Sequence, residues 1–205
     1  MKKLLLILAL STPAWLNPVL AAESSADAKS APKPAASTPA PQVQVVTSLG
    51  NFTIELNAER APLTVANFLS YVDQGHYTNS IFHRVVANFV IQAGGFDADY
   101  KPIPISGKVC NESGNGLSNV RGTVGQARSP DPHSGNAQFY VNLGDNAALD
   151  PNSTRWGYAV FGRVISGMDV VDRIGNVATG AHPPIKEEAP LKQIVILRIE
   201  RVPNT

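Results

Sequence analysis

The chain has 205 residues, 43% hydrophobic and 16% charged, with 17 Lys and Arg against 16 Asp and Glu for a formal net charge of +1. A charge so balanced, with no basic run or stripe, argues against nucleic acid and anionic membrane surfaces as partners. The single cysteine, Cys110, excludes an internal disulfide, and the four histidines (His76, His83, His133 and His182) lack ligand spacing, so no metal or other cofactor is expected.

The N-terminus reads as a secretory signal peptide over residues 1–22. Met1-Lys2-Lys3 precede an apolar stretch from Leu4 to Leu10 that is too short to span a bilayer, and small residues follow at Ala21 and Ala22, either of which suits cleavage. Its removal leaves 15 basic residues against 16 acidic ones. Residues 23–41 contain no large apolar side chain, so burial cannot offset the entropy of ordering them, and a flexible, Pro-stiffened Ala/Pro/Ser linker is expected. One domain then spans residues 42–205, long enough for a sizeable core.

Within it, Val43 to Thr47 and Phe52 to Leu56 predict a hairpin with its turn at Gly50-Asn51. Between Ala61 and Val72, apolar residues at Val65, Phe68, Leu69 and Val72 share one helical face, with Pro62 near the start and Gly75 just past the end. Short β-rich runs follow: Ile81 to Val86, Phe89 to Ala93, Gly122 to Gln126, Gln138 to Asn142, Tyr158 to Val164 and Leu191 to Arg201. Met168, Val170, Val171 and Ile174 suit a second amphipathic helix, and residues 94–121 and 127–137 read as loops. Many short strands with two helices predict a mainly β fold, an antiparallel barrel capped by helices, although periodicity alone is equally compatible with a sandwich.

The residue that most invites a functional reading is Arg84, a guanidinium set in the apolar run Ile81-Phe82-His83-Arg84-Val85-Val86. It is either a structural ion pair or a fixed cationic donor beside an apolar pocket. Period-two alternation puts Phe82 and Arg84 on one face and turns His83 away, and it leaves open whether Arg84 meets Phe89 and Ile91 or Val90 and Gln92. Gln92 and Gln138, polar residues in apolar strands, are either satisfied core amides or ligands for a substrate amide. A hydrolase lacks support, since no Gly-x-Ser-x-Gly elbow accompanies Ser134, and the glycine pairs lack the partners of a phosphate loop.

The run from Tyr77 to Val86, then Phe89-Val90-Ile91-Gln92-Ala93-Gly94-Gly95, resembles the signature of cyclophilin-type peptidyl-prolyl cis-trans isomerases. Glu112, Asn115 to Thr123, Gln138-Phe139-Tyr140-Val141-Asn142 and Tyr158 to Val164 continue the resemblance in order across nearly all of residues 43–201. With the expected signal peptide, the chain looks most like the bacterial periplasmic branch. The resemblance implies an eight-stranded antiparallel barrel closed by two helices, with an outer groove that binds X-Pro segments of unfolded exported proteins.

Carried over by position, Arg84 and Gln92 would be catalytic. Phe89, Tyr140 and Leu149 would line the proline pocket, with Val90 and Tyr158 in its wall; Gln138 would hold the peptide and help orient Arg84, and Ala127 and Arg128 would offer the edge where substrate backbone bonds. The chain departs from the family pattern at Tyr140, usually phenylalanine, whose hydroxyl is expected near the proline ring. It departs also at Val90, commonly methionine, and at Ala148, an aromatic position in many members, which implies weak cyclosporin sensitivity. The resemblance implies a cofactor-free isomerase, active in the periplasm and assisting protein folding, and with no clear oligomer signal in the sequence a monomer is the default. A non-catalytic peptide-holding chaperone on the same fold is the rival reading.

Overall fold

The structure, a computed structural model, describes residues 39–203, so the expected signal peptide and nearly all of the expected linker lie outside the described residues. The first two strands are β1 (Gln42–Thr47) and β2 (Gly50–Leu56). Thr47 lies opposite Gly50, so the hairpin turns through Ser48-Leu49 and not through Gly50-Asn51 as expected. Thr47 supplies what Ser48-Leu49 lack as turn formers: its hydroxyl donates to the Gly50 carbonyl at 2.7 Å and accepts the Leu49 N–H at 3.1 Å. Gly50, at φ +127°, then carries the chain out of the turn in a conformation that side chains disfavour.

Helix α1 (Pro62–Asp73) has Pro62 at its first turn, where the missing N–H is no loss. Ala61 offers no side-chain cap. Glu112 replaces one from a distant loop, accepting the Leu63 N–H at 3.1 Å, the Thr64 N–H at 2.8 Å and the Thr64 hydroxyl at 2.6 Å.

Strands β3 (Ser80–Val86), β4 (Val90–Asp97), β5 (Thr123–Gln126) and β6 (Phe139–Asn142) precede a 3-10 turn at Ala147–Leu149. After it come β7 (Val160–Ser166), α2 (Met168–Gly175), β8 (Thr179–His182), β9 (Ile185–Pro190) and β10 (Val195–Val202).

Eight of these strands close a barrel in the order β1-β10-β3-β4-β6-β5-β7-β2, every pair antiparallel. Closure removes the sandwich alternative and leaves no free sheet edge in the barrel. β8 and β9 form a separate two-stranded hairpin, which the sequence pattern does not predict, and β9 lies along β3. The expected β4 and final strand also shift: β4 runs on to Asp97, and Leu191, 67% exposed, precedes β10.

The barrel lumen is packed solid. Phe52, Phe68, Phe82, Phe139 and Phe161 are each at most 2% exposed, and burial of such a side chain is worth about 1.5–3 kcal/mol. Phe68 of α1 plugs one part of it, 5.2–5.5 Å from Tyr77, Phe139 and Phe161 between ring centroids. Val170, Val171 and Ile174 bury the inner face of α2. Because Ile91, Ala93, Phe139 and Val141 point into this core, their neighbours Val90, Gln92 and Tyr140 must face outward.

Candidate active site

A β-bulge decides where Arg84 points. Phe82 pairs with Ala93 and Arg84 with Gln92, so β3 carries one more residue than β4 over this stretch. Phe82 and Val85 therefore both enter the core, and Arg84 turns to the outer face. The expectation that Phe82 and Arg84 share a face fails for this reason. His83 is buried, with its ring 5.0 Å from Phe96.

The register then lays out one outward row across four strands. Arg84 of β3 stands opposite Gln92 of β4, Gln92 opposite Tyr140 of β6, and Tyr140 opposite Gly125 of β5. The open question of which group meets Arg84 is thus answered: Gln92, with Val90 opposite Val86. Gly125 permits the arrangement, since a Cβ there would lie 2.2 Å from the Tyr140 ring.

An apolar satellite cluster outside the barrel core joins Val90, Ala127 and Tyr140 to the partly buried Phe89, Leu149 and Tyr158. Together with Arg84, Gln92 and Arg128 these residues line a hollow of about 400 Å³. Gln138 lines an adjoining hollow of about 340 Å³ that shares Gln92, Ala127 and Arg128, and it accepts the Gln92 Nε2–H at 3.0 Å. All ten residues singled out from the sequence thus meet at one place on the outer wall.

Two of them carry commitments that sequence does not reveal. The Ala127 N–H donates to the Gln138 carbonyl at 3.1 Å, whereas the backbone N–H and C=O of Arg128 have no partner among the described residues. The Arg128 side chain donates to the carbonyls of Ser129, Trp156 and Gly157 at 2.9, 2.8 and 3.1 Å and lies 4.4 Å from the centre of the Tyr158 ring. It ties the rim together and holds Tyr158 flat beneath a cation.

The Tyr140 hydroxyl is also committed. It is buried and donates to Asn119 Oδ1 at 2.7 Å, so its proton is engaged within the barrel wall. Burial foremost, then the neighbouring Tyr158 and Asp150, raises its pKa well above the ordinary value, which keeps the proton on.

Asn119 is the centre of a network that sequence reasoning does not assign to the site. Asn142 Nδ2 donates to Asn119 Oδ1 at 3.2 Å, Asn146 donates to Asn142 Oδ1 at 2.7 Å, and the same Asn146 amide donates to the Phe89 carbonyl at 2.9 Å. On its other side Asn119 donates to Asp150 at 2.8 Å, and the Tyr158 N–H reaches the Leu149 carbonyl at 2.9 Å. The loops that present Phe89, Leu149 and Tyr158 are therefore fixed by buried amides. The only sequence signal is the clustering of asparagines beside apolar runs.

Electrostatically, Arg84 has no charged histidine beside it near pH 7. The pKa of His83 is lowered to about 4, chiefly by burial and next by the Arg84 charge, so the ring is neutral near pH 7. Glu188 of β9 accepts the Arg84 Nε–H at 2.7 Å, each side chain being 36–37% exposed. Among the described residues no His, Cys, Asp or Glu cluster is arranged to hold a metal ion.

Comparison with known proteins agrees with this geometry. The family described as cyclophilin type peptidyl-prolyl cis-trans isomerase/CLD matches residues 42–201. The chain is 44% identical over 158 residues to a peptidyl-prolyl cis-trans isomerase of Acinetobacter baylyi, covering 77% of this chain and 84% of that one. It is 48% identical over 157 residues to the isomerase cyp18 of Streptomyces antibioticus (75% and 94% covered) and 43% over 153 residues to peptidyl-prolyl cis-trans isomerase B of Escherichia coli (73% and 93%). Among solved structures, a cyclophilin-type isomerase of Cryptosporidium parvum superposes with a TM-score of 0.66 at 23% identity, over 81% of this chain and 99% of that one. The chain belongs to the cyclophilin-type peptidyl-prolyl cis-trans isomerase family and is an isomerase of proline-containing peptides.

Proposed function

We propose that the outer hollow binds an X-Pro segment, with the proline ring against Phe89, Tyr140 and Leu149, and that Arg84 is the catalytic donor. The observation that carries the reading is the placement of the Arg84 guanidinium, opposite Gln92 in the strand register, at the wall of a hollow of about 400 Å³ whose other guanidinium, Arg128, is spent on the carbonyls of Ser129, Trp156 and Gly157. Rotation about X-Pro breaks amide resonance against a barrier of roughly 18–20 kcal/mol, and uncatalysed exchange takes about 10–100 s. In the twisted state the proline nitrogen becomes pyramidal and regains a lone pair. A guanidinium N–H that bonds this lone pair acts on the transition state and not on the planar ground state, which is the requirement for lowering the barrier.

The other side chains divide the remaining work. Gln92 and Gln138, bonded to each other, present amide groups to the peptide beside the ring. The unpartnered backbone N–H and C=O of Arg128 offer a short edge to an extended substrate. No nucleophile, acid-base pair or cofactor enters the step. The signal-like N-terminus read from the sequence supports export, so the expected setting is the periplasm, with folding of exported proteins as the role and a monomer as the working form.

The test is exchange NMR on a short X-Pro peptide with wild type and Arg84→Ala side by side. Acceleration that collapses in a folded Arg84→Ala variant supports the assignment; equal turnover refutes it. Cell fractionation that recovers the protein only from the cytoplasm refutes export.

A further inference from the structure

We propose that Glu188 is a positioning residue for Arg84: its carboxylate holds the guanidinium by Nε alone and leaves Nη1 and Nη2 available to the hollow. The inference rests on the reading of Arg84 as the catalytic donor.

The contact differs from the forked arginine pairs of this molecule, and from Arg121, whose terminal Nη2 rather than Nε binds Asp172 at 2.8 Å. Arg201 grips Asp73 through Nε and Nη2 at 2.7 and 2.6 Å, Arg163 grips Glu55 through the same two nitrogens at 2.9 and 2.8 Å, and Arg198 does likewise with Glu200 at 3.0 and 3.2 Å. Those forks occupy two nitrogens on one side of the guanidinium. Arg84 makes one contact, Nε to Glu188 Oε2 at 2.7 Å, and its terminal nitrogens have no hydrogen-bond partner among the described residues. A single charge-assisted bond at Nε fixes the last flexible joint of the side chain while its donors stay free.

The backbone that delivers Glu188 is unusual. Glu188 adopts φ +63°, a left-handed conformation for a residue with a Cβ, inside a bulge of β9 where Gly180 pairs with Ala189 and His182 with Ile185. An ion pair with both side chains more than a third exposed contributes little to stability. Strain of this kind persists when the surrounding structure enforces it, and it concentrates at functional sites. Here the enforcement is visible: Ala189 and Pro190 are buried beside Glu188, the Leu191 N–H bonds the Ala178 carbonyl at 2.9 Å, and His182 of the hairpin stacks on Tyr100 at 3.7 Å and 15°. The hairpin is thus clamped at its tip and its base, with Glu188 between.

The experiment compares Glu188→Ala, Glu188→Gln and Arg84→Ala in the full chain by exchange NMR, with titration to separate kcat from KM and thermal melts to confirm folding. Glu188→Ala is expected to lower kcat about tenfold with KM within about twofold, as loss of alignment does. Glu188→Gln, whose amide oxygen still accepts from Nε, is expected to recover most of that loss. The Arg84 Nε–H resonance should be slow to exchange in wild type and fast in Glu188→Ala. A fully active Glu188→Ala beside an inactive Arg84→Ala overturns the positioning role and leaves the catalytic reading standing. A fully active Arg84→Ala overturns the reading beneath it. A wild-type Nε–H that exchanges as fast as in Glu188→Ala also refutes the proposal, whatever the variants' stability.

Discussion

Tyr140→Phe separates a hydroxyl that faces substrate from one that serves the barrel wall. In the structure the hydroxyl donates to Asn119 Oδ1 at 2.7 Å, and that oxygen also receives Asn142 Nδ2 at 3.2 Å. Removing the hydroxyl takes away one buried hydrogen bond but leaves its acceptor with a second donor, so the unsatisfied-group penalty is avoided. The net loss should be about 1 kcal/mol. For a domain of this size that corresponds to a fall in Tm of about 2–4 °C. The ring keeps its seat against Gly125 and its place in the hollow. Catalysis should therefore stay within about twofold of wild type, since no contact to the reacting bond is altered. Thermal melts by circular dichroism and exchange NMR on the same samples give both numbers. A tenfold fall in kcat/KM at unchanged Tm would refute the argument, because it would place the hydroxyl in the groove.

Glu112→Ala removes the remote cap of α1 and exposes three donors at the helix start, so stability should fall by about 1–2 kcal/mol while kcat/KM per folded molecule holds; urea titration reads the first, and an unchanged midpoint would contradict the capping role. His83 supplies a pH test. Its folded pKa of about 4 lies below the ordinary 6.5, so the unfolded chain binds more protons between those values and stability rises with pH. The contribution is present above about pH 6.5 and is lost as pH falls towards 4; at about 1.4 kcal/mol for each tenfold change in proton affinity it amounts to about 3 kcal/mol. His76, also lowered by burial, acts in the same direction, whereas Asp73 and Asp169, lowered by hydrogen bonds from Arg201 and Arg173, act below the ordinary carboxylate value. His83→Gln should flatten Tm against pH between 6.5 and 4, and a slope equal to wild type would refute the assignment.

How much of the fold and site is legible in the sequence depends on whether local patterning carries the information. Helix α1 is bracketed by Pro62 and Gly75, and β3 and β6 are dense in β-branched and aromatic residues, so these elements declare themselves. The β8–β9 hairpin does not. Ile185-Lys186-Glu187-Glu188-Ala189-Pro190 has no apolar alternation because the hairpin lies outside the barrel and buries little on one face. The face of Arg84 is illegible for a different reason, since a single bulged residue inverts the alternation and leaves no mark in composition. Its partner Glu188 lies 104 residues away, beyond any local rule. The first turn escapes its sequence signal because the hydroxyl of Thr47 organises Ser48-Leu49 in place of turn-forming residues.

The solid lumen has a consequence for access. Because aromatic side chains fill the barrel interior, nothing can pass through it, and every residue of the hollow projects from the outside of the β3-β4-β6-β5 wall or from its flanking loops. If the hollow binds X-Pro segments as proposed, a polypeptide would be engaged from the side, at a proline far from either of its ends and without being threaded. Each encounter needs only a few residues of slack in the visiting chain, so a proline in a long or half-folded protein is as reachable as one in a short peptide wherever that slack exists.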